Sequence, residues 1–307
     1  MPIRMEDPSQ DRISLMDLVD YLHDSGFDPR DQESMASVSP MLKKLGNNEA
    51  FLSEMICNEL KDSKRLQIDN DYTPQVLMLH APQASGQSYF IRACFWPGRD
   101  DEILGASGDR TFFYGVPHDH NFNFLTIGYQ GPGYESDYFE YDYASVCGTT
   151  GERVDLKFME RSRLHKGSMM LYRAFQDVHR QLAPERFSVS LNIMEHSLRS
   201  VTMDQYEFGP TGTISQIINR SSAAAVFMIA ASDNNGDSQQ LLHDIFRGHA
   251  IDRVRMAALE ALIASSPTRE AAKRLTSMVQ ARHSAFMRSR ARQLAAGLEQ
   301  GARHASR

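Results

Sequence analysis

Two histidines one residue apart, His118 and His120, sit in the strand-like run PHDHNFNFL. On an extended strand alternate side chains share a face, so both imidazoles point the same way and Asp119 points to the other. Two imidazoles placed like this suit neighbouring positions on one metal ion. The chain holds 11 histidines, so an HxH pair alone arises by chance fairly often and a third ligand is needed. His179 supplies it. It lies in QDVHRQ, between the strand-like runs SMMLYRAF and RFSVSLNIM, and antiparallel strands could bring it opposite the first pair. Three imidazoles suit zinc, iron, copper or nickel and do not choose among them. Zinc with three imidazoles and a water would favour hydrolysis or hydration.

A substrate bearing a carboxylate would need a cation nearby. Arg92 in YFIRACF, Arg173 in LYRAF and Arg186 in ERFSVS are the candidates, because a guanidinium can grip a carboxylate through two parallel hydrogen bonds. Each competes with a bland role as a surface or ion-pair arginine. The stretch YESDYFEYDY alternates, with Tyr134 and Tyr138 on one face and Tyr141 and Tyr143 on the other. It reads as a half-exposed strand or as the lining of a pocket.

The elements that must position these residues change texture along the chain. From Ser14 to Lys61 the pattern is helical: Leu15, Leu18, Val19 and Leu22 recur at helical spacing, and Gly26 closes the run. MLKKLGNNEAFLSEMICNEL adds two short helices broken at Gly46-Asn47-Asn48. From about Tyr72 to Met203, runs rich in Val, Ile, Phe and Tyr are separated by Gly, Pro, Asn and Asp, including RTFFYGVPHDHNFNFLTIGYQ and the turn Gly131-Pro132-Gly133. That spacing predicts short strands in a sandwich or barrel. From about Thr213 the texture is helical. Arg253, Arg255 and Leu259 recur 35 positions on as Arg288, Arg290 and Leu294, a period that suits HEAT-type helix pairs or, equally, a plain helical bundle. Ser232 to Gln240 reads as a hinge. The fold class expected is α+β: an N-terminal helical segment (1–66), a central metal-binding barrel (67–205) and a helical C-terminal region (206–307).

The middle of the chain resembles the cupin superfamily. Gly115 followed by His118 and His120 is similar to its first motif, and Gly167, SMMLYR, a turn at AFQD, His179 and SVSLNI to its second. The resemblance covers roughly Tyr89 to Met194 and implies a double-stranded β-helix. Many cupins carry a Glu four or five residues after the second His; Phe124 and Leu125 stand here and leave an all-imidazole site. Within the superfamily such a site resembles the thiol dioxygenases of the cysteine dioxygenase group, which share the HDH tripeptide, a segment like CFWPG and a Ser-Leu pair like Ser190-Leu191. The resemblance implies Fe(II) and O2. It places the family's serine-histidine-tyrosine relay on Ser190, Asn192 and Met194, so only the serine survives; Ser190 and Asn192 are the candidate catalytic residues, and the tyrosine is missing. Arg186-Phe187-Ser188 also resembles the RxS that holds 2-oxoglutarate in Fe(II)/2-oxoglutarate oxygenases, although those enzymes use HxD or HxE.

Bulk properties narrow the partners. No run approaches the apolar length of a membrane span, and MPIRMEDPSQDRISL lacks the apolar core of a secretion signal. Cys57, Cys94 and Cys147 are scattered, which fits a reducing cytoplasm and gives no thiolate metal site. Net charge is −6, yet Gln239 to Arg307 holds 12 Lys/Arg against 5 Asp/Glu, a net of +7, leaving −13 elsewhere. Docking between unlike surfaces is the simplest use, and a homo-oligomer is open. Nucleic acid is disfavoured because the tail carries no helix-turn-helix signature. The reading preferred is a mononuclear Fe(II) oxygenase acting on an amino acid-like small molecule or peptide. Its rivals are a 2-oxoglutarate oxygenase and a non-enzymatic ligand-sensing module with a basic partner-binding tail.

Overall fold

The computed structural model describes residues 1–61, 75–82, 88–219, 223–233 and 236–305. The expected boundary at 66/67, the start of the strand region at Tyr72, and Asn234-Asn235 of the expected hinge lie outside them. The chain forms two units. The first comprises 1–141, 155–197 and 208–210, and the second 142–154, 198–207 and 211–307.

The first unit opens with β1 (Ile3–Met5) and four helices: α1 (Leu15–Asp24), α2 (Gln32–Ser37), α3 (Ser39–Gly46) and α4 (Phe51–Lys61). Ser14 starts α1 with a reciprocal cap. Its hydroxyl accepts from the Asp17 N–H, and the Asp17 carboxylate accepts from the Ser14 N–H. Gly26, at φ +69°, follows its end. The strands come next: β2 (Val76–His80), β3 (Tyr89–Trp96), then a short helix α5 (Glu102–Ser107), β4 (His118–Asp119), β5 (Phe124–Gln130), β6 (Glu135–Glu140), β7 (Lys157–Arg163), β8 (Met169–Tyr172), β9 (Asp177–Gln181) and β10 (Ser188–Glu195).

One antiparallel sheet runs β1-β8-β5-β10-β3-β2. Both of its faces are buried, so every residue of β10 is buried. Leu125, Ile127, Leu171, Leu191, Ile193 and Ile91 pack on one side against Leu18, Leu22, Met35, Leu42 and Leu45 of the helices. Helix α3 approaches β5 so closely that a methyl on Gly46 would lie 2.6 Å from Ile127 Cδ1. The other face carries Phe90, Cys94, Trp96, Phe124, Met170, Tyr172 and Met194. It meets Tyr134, just before β6, and Tyr138 of β6 in the second sheet, in which β4, β9, β6 and β7 lie side by side. Mixed helices and antiparallel sheets are thus as expected. Among the described residues, two sheets face each other, and the strand ladders do not join them into a closed barrel.

Two local readings are corrected, and one strand is added. Asp109–Phe112, at the start of DRTFFYG, form a 3-10 turn rather than a strand, because Gly108 at φ +78° leads into local bonds from Phe113 N–H to Arg110 O and from Tyr114 N–H to Asp109 O. KFMERSR, too charged to stand out, is an edge strand paired with β6. The stretch just after Thr213 is extended rather than helical.

The second unit contains helix α6 (Leu198–Thr202), most of β11 (Tyr206–Phe208), β12 (Ile214–Ile217), and α7 (Ala223–Ser232), α8 (Gly236–Gly248), α9 (Asp252–Ala264), α10 (Arg269–Ser277) and α11 (Ala285–Ala305). Leu242, Phe246, Met256, Leu259, Leu262 and Met287 form its core. The repeated arginines sit on α9 and α11. Arg253 bonds Asp204 and lies over the Tyr143 and Phe286 rings, and Arg290 bonds Glu260. No helix among the described residues is long and apolar enough to cross a membrane.

Candidate metal centre

The short strand β4 exists to place histidines. Its two residues pair with β9 in the register His118↔His179 and Asp119↔Val178. Gly115, at φ +74°, turns the chain into it and donates its N–H to Gln181 O. His118 and His120 face inward, as alternation requires, and Asp119 is directed to Tyr141, whose hydroxyl donates to its carboxylate. Phe175, at φ +64°, donates its N–H to His120 O and ties the AFQD turn to the centre.

The three imidazoles converge. His120 Nε2 lies 3.0 Å from His179 Nε2, which lies 3.1 Å from His118 Nε2. All three rings are buried. His118 Nδ1 is 2.9 Å from Val116 O. A carbonyl only accepts, so Nδ1 carries a proton, which in the neutral ring leaves the Nε2 lone pair for a metal. Burial, with the neighbouring imidazoles, holds His120 and His179 well below the usual imidazole pKa, and Arg92 adds to the effect on His120. Neutral imidazoles whose lone pairs converge repel one another unless a cation or a shared proton lies between them. Nitrogens about 2.1 Å from one ion stand roughly 3.0–3.4 Å apart for angles between a right angle and the tetrahedral one, so the spacing fits a single ion. These residues are the cluster of metal-ligating type among the described residues.

The strand register gives the facing wall in rows. Tyr172, Phe124, Met194 and Phe90 are cross-strand neighbours on the inner face of the first sheet. The next inner row is Met170, Thr126, Asn192, Arg92 and Met78. Phe124 lies 4.9 Å from His120 and 4.2 Å from Tyr172, ring to ring. Arg92 is close enough to act on both His120 and Cys94. Asn192 donates to Cys94 Sγ at 3.2 Å, and burial pushes the Cys94 thiol up. Ser190 accepts from Trp96 Nε1 at 3.0 Å.

Of the arginines read from the sequence, only Arg92 stands on this inner face. Arg173 is taken up by Asp177 and Glu140. Arg186 is exposed, and the Ser188 hydroxyl donates to the Arg186 carbonyl instead of pointing with its guanidinium at an anion. Sequence reasoning did not single out Tyr172 or Thr126. Tyr172 lies two residues from Met170 in SMMLYR and Thr126 two from Phe124, so strand alternation was the signal that could have found both. Thr126 is fully buried, and its hydroxyl has no protein partner among the described residues.

No family model matches the chain, and no curated protein matches it. Solved structures similar to it include hydroquinone 1,2-dioxygenase from Sphingomonas sp. TTNP3, with 12% identity over 42% of this chain and 70% of that one and a TM-score of 0.28. The DMSP lyase DddQ from Ruegeria pomeroyi DSS-3 is 12% identical over 40% of this chain and 47% of its own, at a TM-score of 0.25. Salicylate 1,2-dioxygenase from Pseudoaminobacter salicylatoxidans is 9% identical over 55% of this chain and 40% of its own, at a TM-score of 0.27. The chain thus spans less than half the length of the last two.

Proposed function

We propose that the chain is a mononuclear non-haem Fe(II) oxygenase built on a cupin-type barrel, acting on an amino acid-like small molecule or peptide that bears a carboxylate. The observation that carries this reading is the convergence of three buried imidazoles, with His179 Nε2 3.0 Å from that of His120 and 3.1 Å from that of His118. Bound iron would supply open coordination positions for substrate and O2, because His118, His120 and His179 leave part of its surface free.

The chain's own residues do the rest. Burial keeps His120 and His179 neutral, which is the form that binds metal. Phe122, Phe124 and Tyr172 surround His120 with rings and keep bulk water from the centre. Arg92, one inner row away from Phe124, supplies the cation for the substrate carboxylate, with the Asn192 amide beside it in register. Ser190, on β10 two residues before Asn192, accepts a hydrogen bond from Trp96 Nε1. The exposed Arg186 and the missing carboxylate ligand disfavour 2-oxoglutarate as co-substrate.

The test is metal analysis of the purified protein, followed by anaerobic reconstitution with Fe(II) and measurement of O2 uptake with amino acid-like carboxylates. About one iron per chain is expected, and His179→Ala should sharply weaken its binding. Full occupancy in that variant would remove the third ligand. Tight metal binding with no O2 uptake on any carboxylate would favour a ligand-sensing module.

A further inference from the structure

Metal-binding histidines commonly donate their second ring N–H to an acceptor, which fixes the plane of the ring. His118 does so through Val116 O. His179 does not: its Nδ1 is buried and has no hydrogen-bond partner among the described residues. Something else must hold that ring. Its cross-strand neighbours are His118 on β4 and Tyr138 on β6. From the facing sheet, Tyr172 presents its ring 5.0 Å from His179 at 66° and 6.2 Å from His120 at 87°.

We propose that Tyr172 is the positioning residue of the histidine centre, setting the ring planes of His179 and His120 by edge-to-face packing in place of the hydrogen bond that His179 lacks. The inference rests on the metal-binding reading above and deepens it. Tyr172 is itself immobile. It stacks on Phe124 at 4.2 Å and 11°, and its hydroxyl lies 3.1 Å from that of Tyr138, which also reaches Met170 Sδ at 3.3 Å. A ring clamped on its face and at its tip can hold two imidazoles, whereas a flexible aliphatic side chain of similar volume cannot. Edge-to-face ring pairs have the strength for this role.

The experiment measures Co(II) binding to the full chain by calorimetry, with the visible absorption of the bound ion as a second readout. Tyr172→Leu and Tyr172→Met remove the ring. Both are expected to weaken Co(II) binding about tenfold or more, the usual effect of losing a residue that orients a ligand. Both should also change the Co(II) spectrum; losing a buried ring lowers the melting temperature of the metal-free chain, so affinity and spectrum are read well below it, where each variant is folded. Tyr172→Phe keeps the ring and should bind within about threefold of wild type with an unaltered spectrum. Wild-type affinity and spectrum in a folded Leu or Met variant overturn the proposal. So does a Phe variant as impaired as Leu, since the hydroxyl would then be the active part. A wild-type chain that takes up no Co(II) overturns the metal reading itself, and this inference with it.

Discussion

Ser190 shows how a residue can sit where chemistry is expected and be occupied by structure. Its hydroxyl is the acceptor for Trp96 Nε1–H at 3.0 Å, inside the core shared by the two sheets. Ser190→Ala leaves that donor buried and unmet, which costs about 1–3 kcal/mol. The melting temperature should fall by several degrees while metal stoichiometry stays unchanged. A variant as stable as wild type would show that the indole finds another acceptor and that Ser190 is free for a role at the centre. At this scale the sequence made the three histidines legible, because an HxH on a strand and a lone His between two strand-like runs are strong local patterns. It could not rank the arginines. Arg92 and Arg173 both flank strand residues, and only the tertiary partners Asp177 and Glu140 distinguish the second as an ion-pair residue. Nor could it show Thr126 and Tyr172, whose relevance comes from cross-strand register.

Elements are held in register by side chains as well as by their ladders. On β6, Asp137 stands opposite Arg161 of β7 and Arg180 of β9. Arg161 Nε lies 2.6 Å from Asp137 Oδ1 and Nη2 3.1 Å from Oδ2, and Arg180 Nε lies 2.9 Å from Oδ2. These guanidiniums, Arg161 foremost, hold the Asp137 carboxyl below its ordinary value of 3.8, against the opposing effect of burial. A carboxylate with a depressed native pKa adds stability that is present above its unfolded value and is lost as pH falls through the native one. Asp137→Asn should therefore lower stability at pH 7 and flatten the acid limb below the ordinary carboxylate range. The loss at neutral pH should be about 1–2 kcal/mol, less than for a fully buried pair, because both arginines are more than one-third exposed. Urea unfolding at neutral and at acid pH checks it. Equal acid sensitivity in the two proteins would place the titrating group elsewhere. The same ladder explains what was hard to read: β7 carries Lys157, Glu160, Arg161 and Arg163, and a strand that trades apolar alternation for cross-strand ion pairs does not announce itself by hydropathy.

Two cores imply two cooperative units. One chain segment after another leaves the first unit for the second and returns, yet the buried apolar side chains gather separately. One set lies on the two faces of the sheet that contains β10, and another among α7 to α11. The charge asymmetry of the sequence marked the basic helical stretch. Nothing in composition marks 142–154 or 198–207 as belonging with it, since those segments are short and join it through contacts distant in sequence. His118, His120 and His179 all lie in the first unit. A ligand that binds only the folded form stabilises it by about 2.7 kcal/mol at 100 times its dissociation constant. Calorimetry of the full chain should show two transitions. Metal should raise only the one belonging to the first unit, by about 5–10 °C for a unit of this size, and chelator should reverse the shift. His179→Ala should abolish the shift and leave the second transition where it was. If both transitions moved together, the two cores would melt as one and the metal would stabilise the whole chain; if neither moved, the three histidines would not hold the ion.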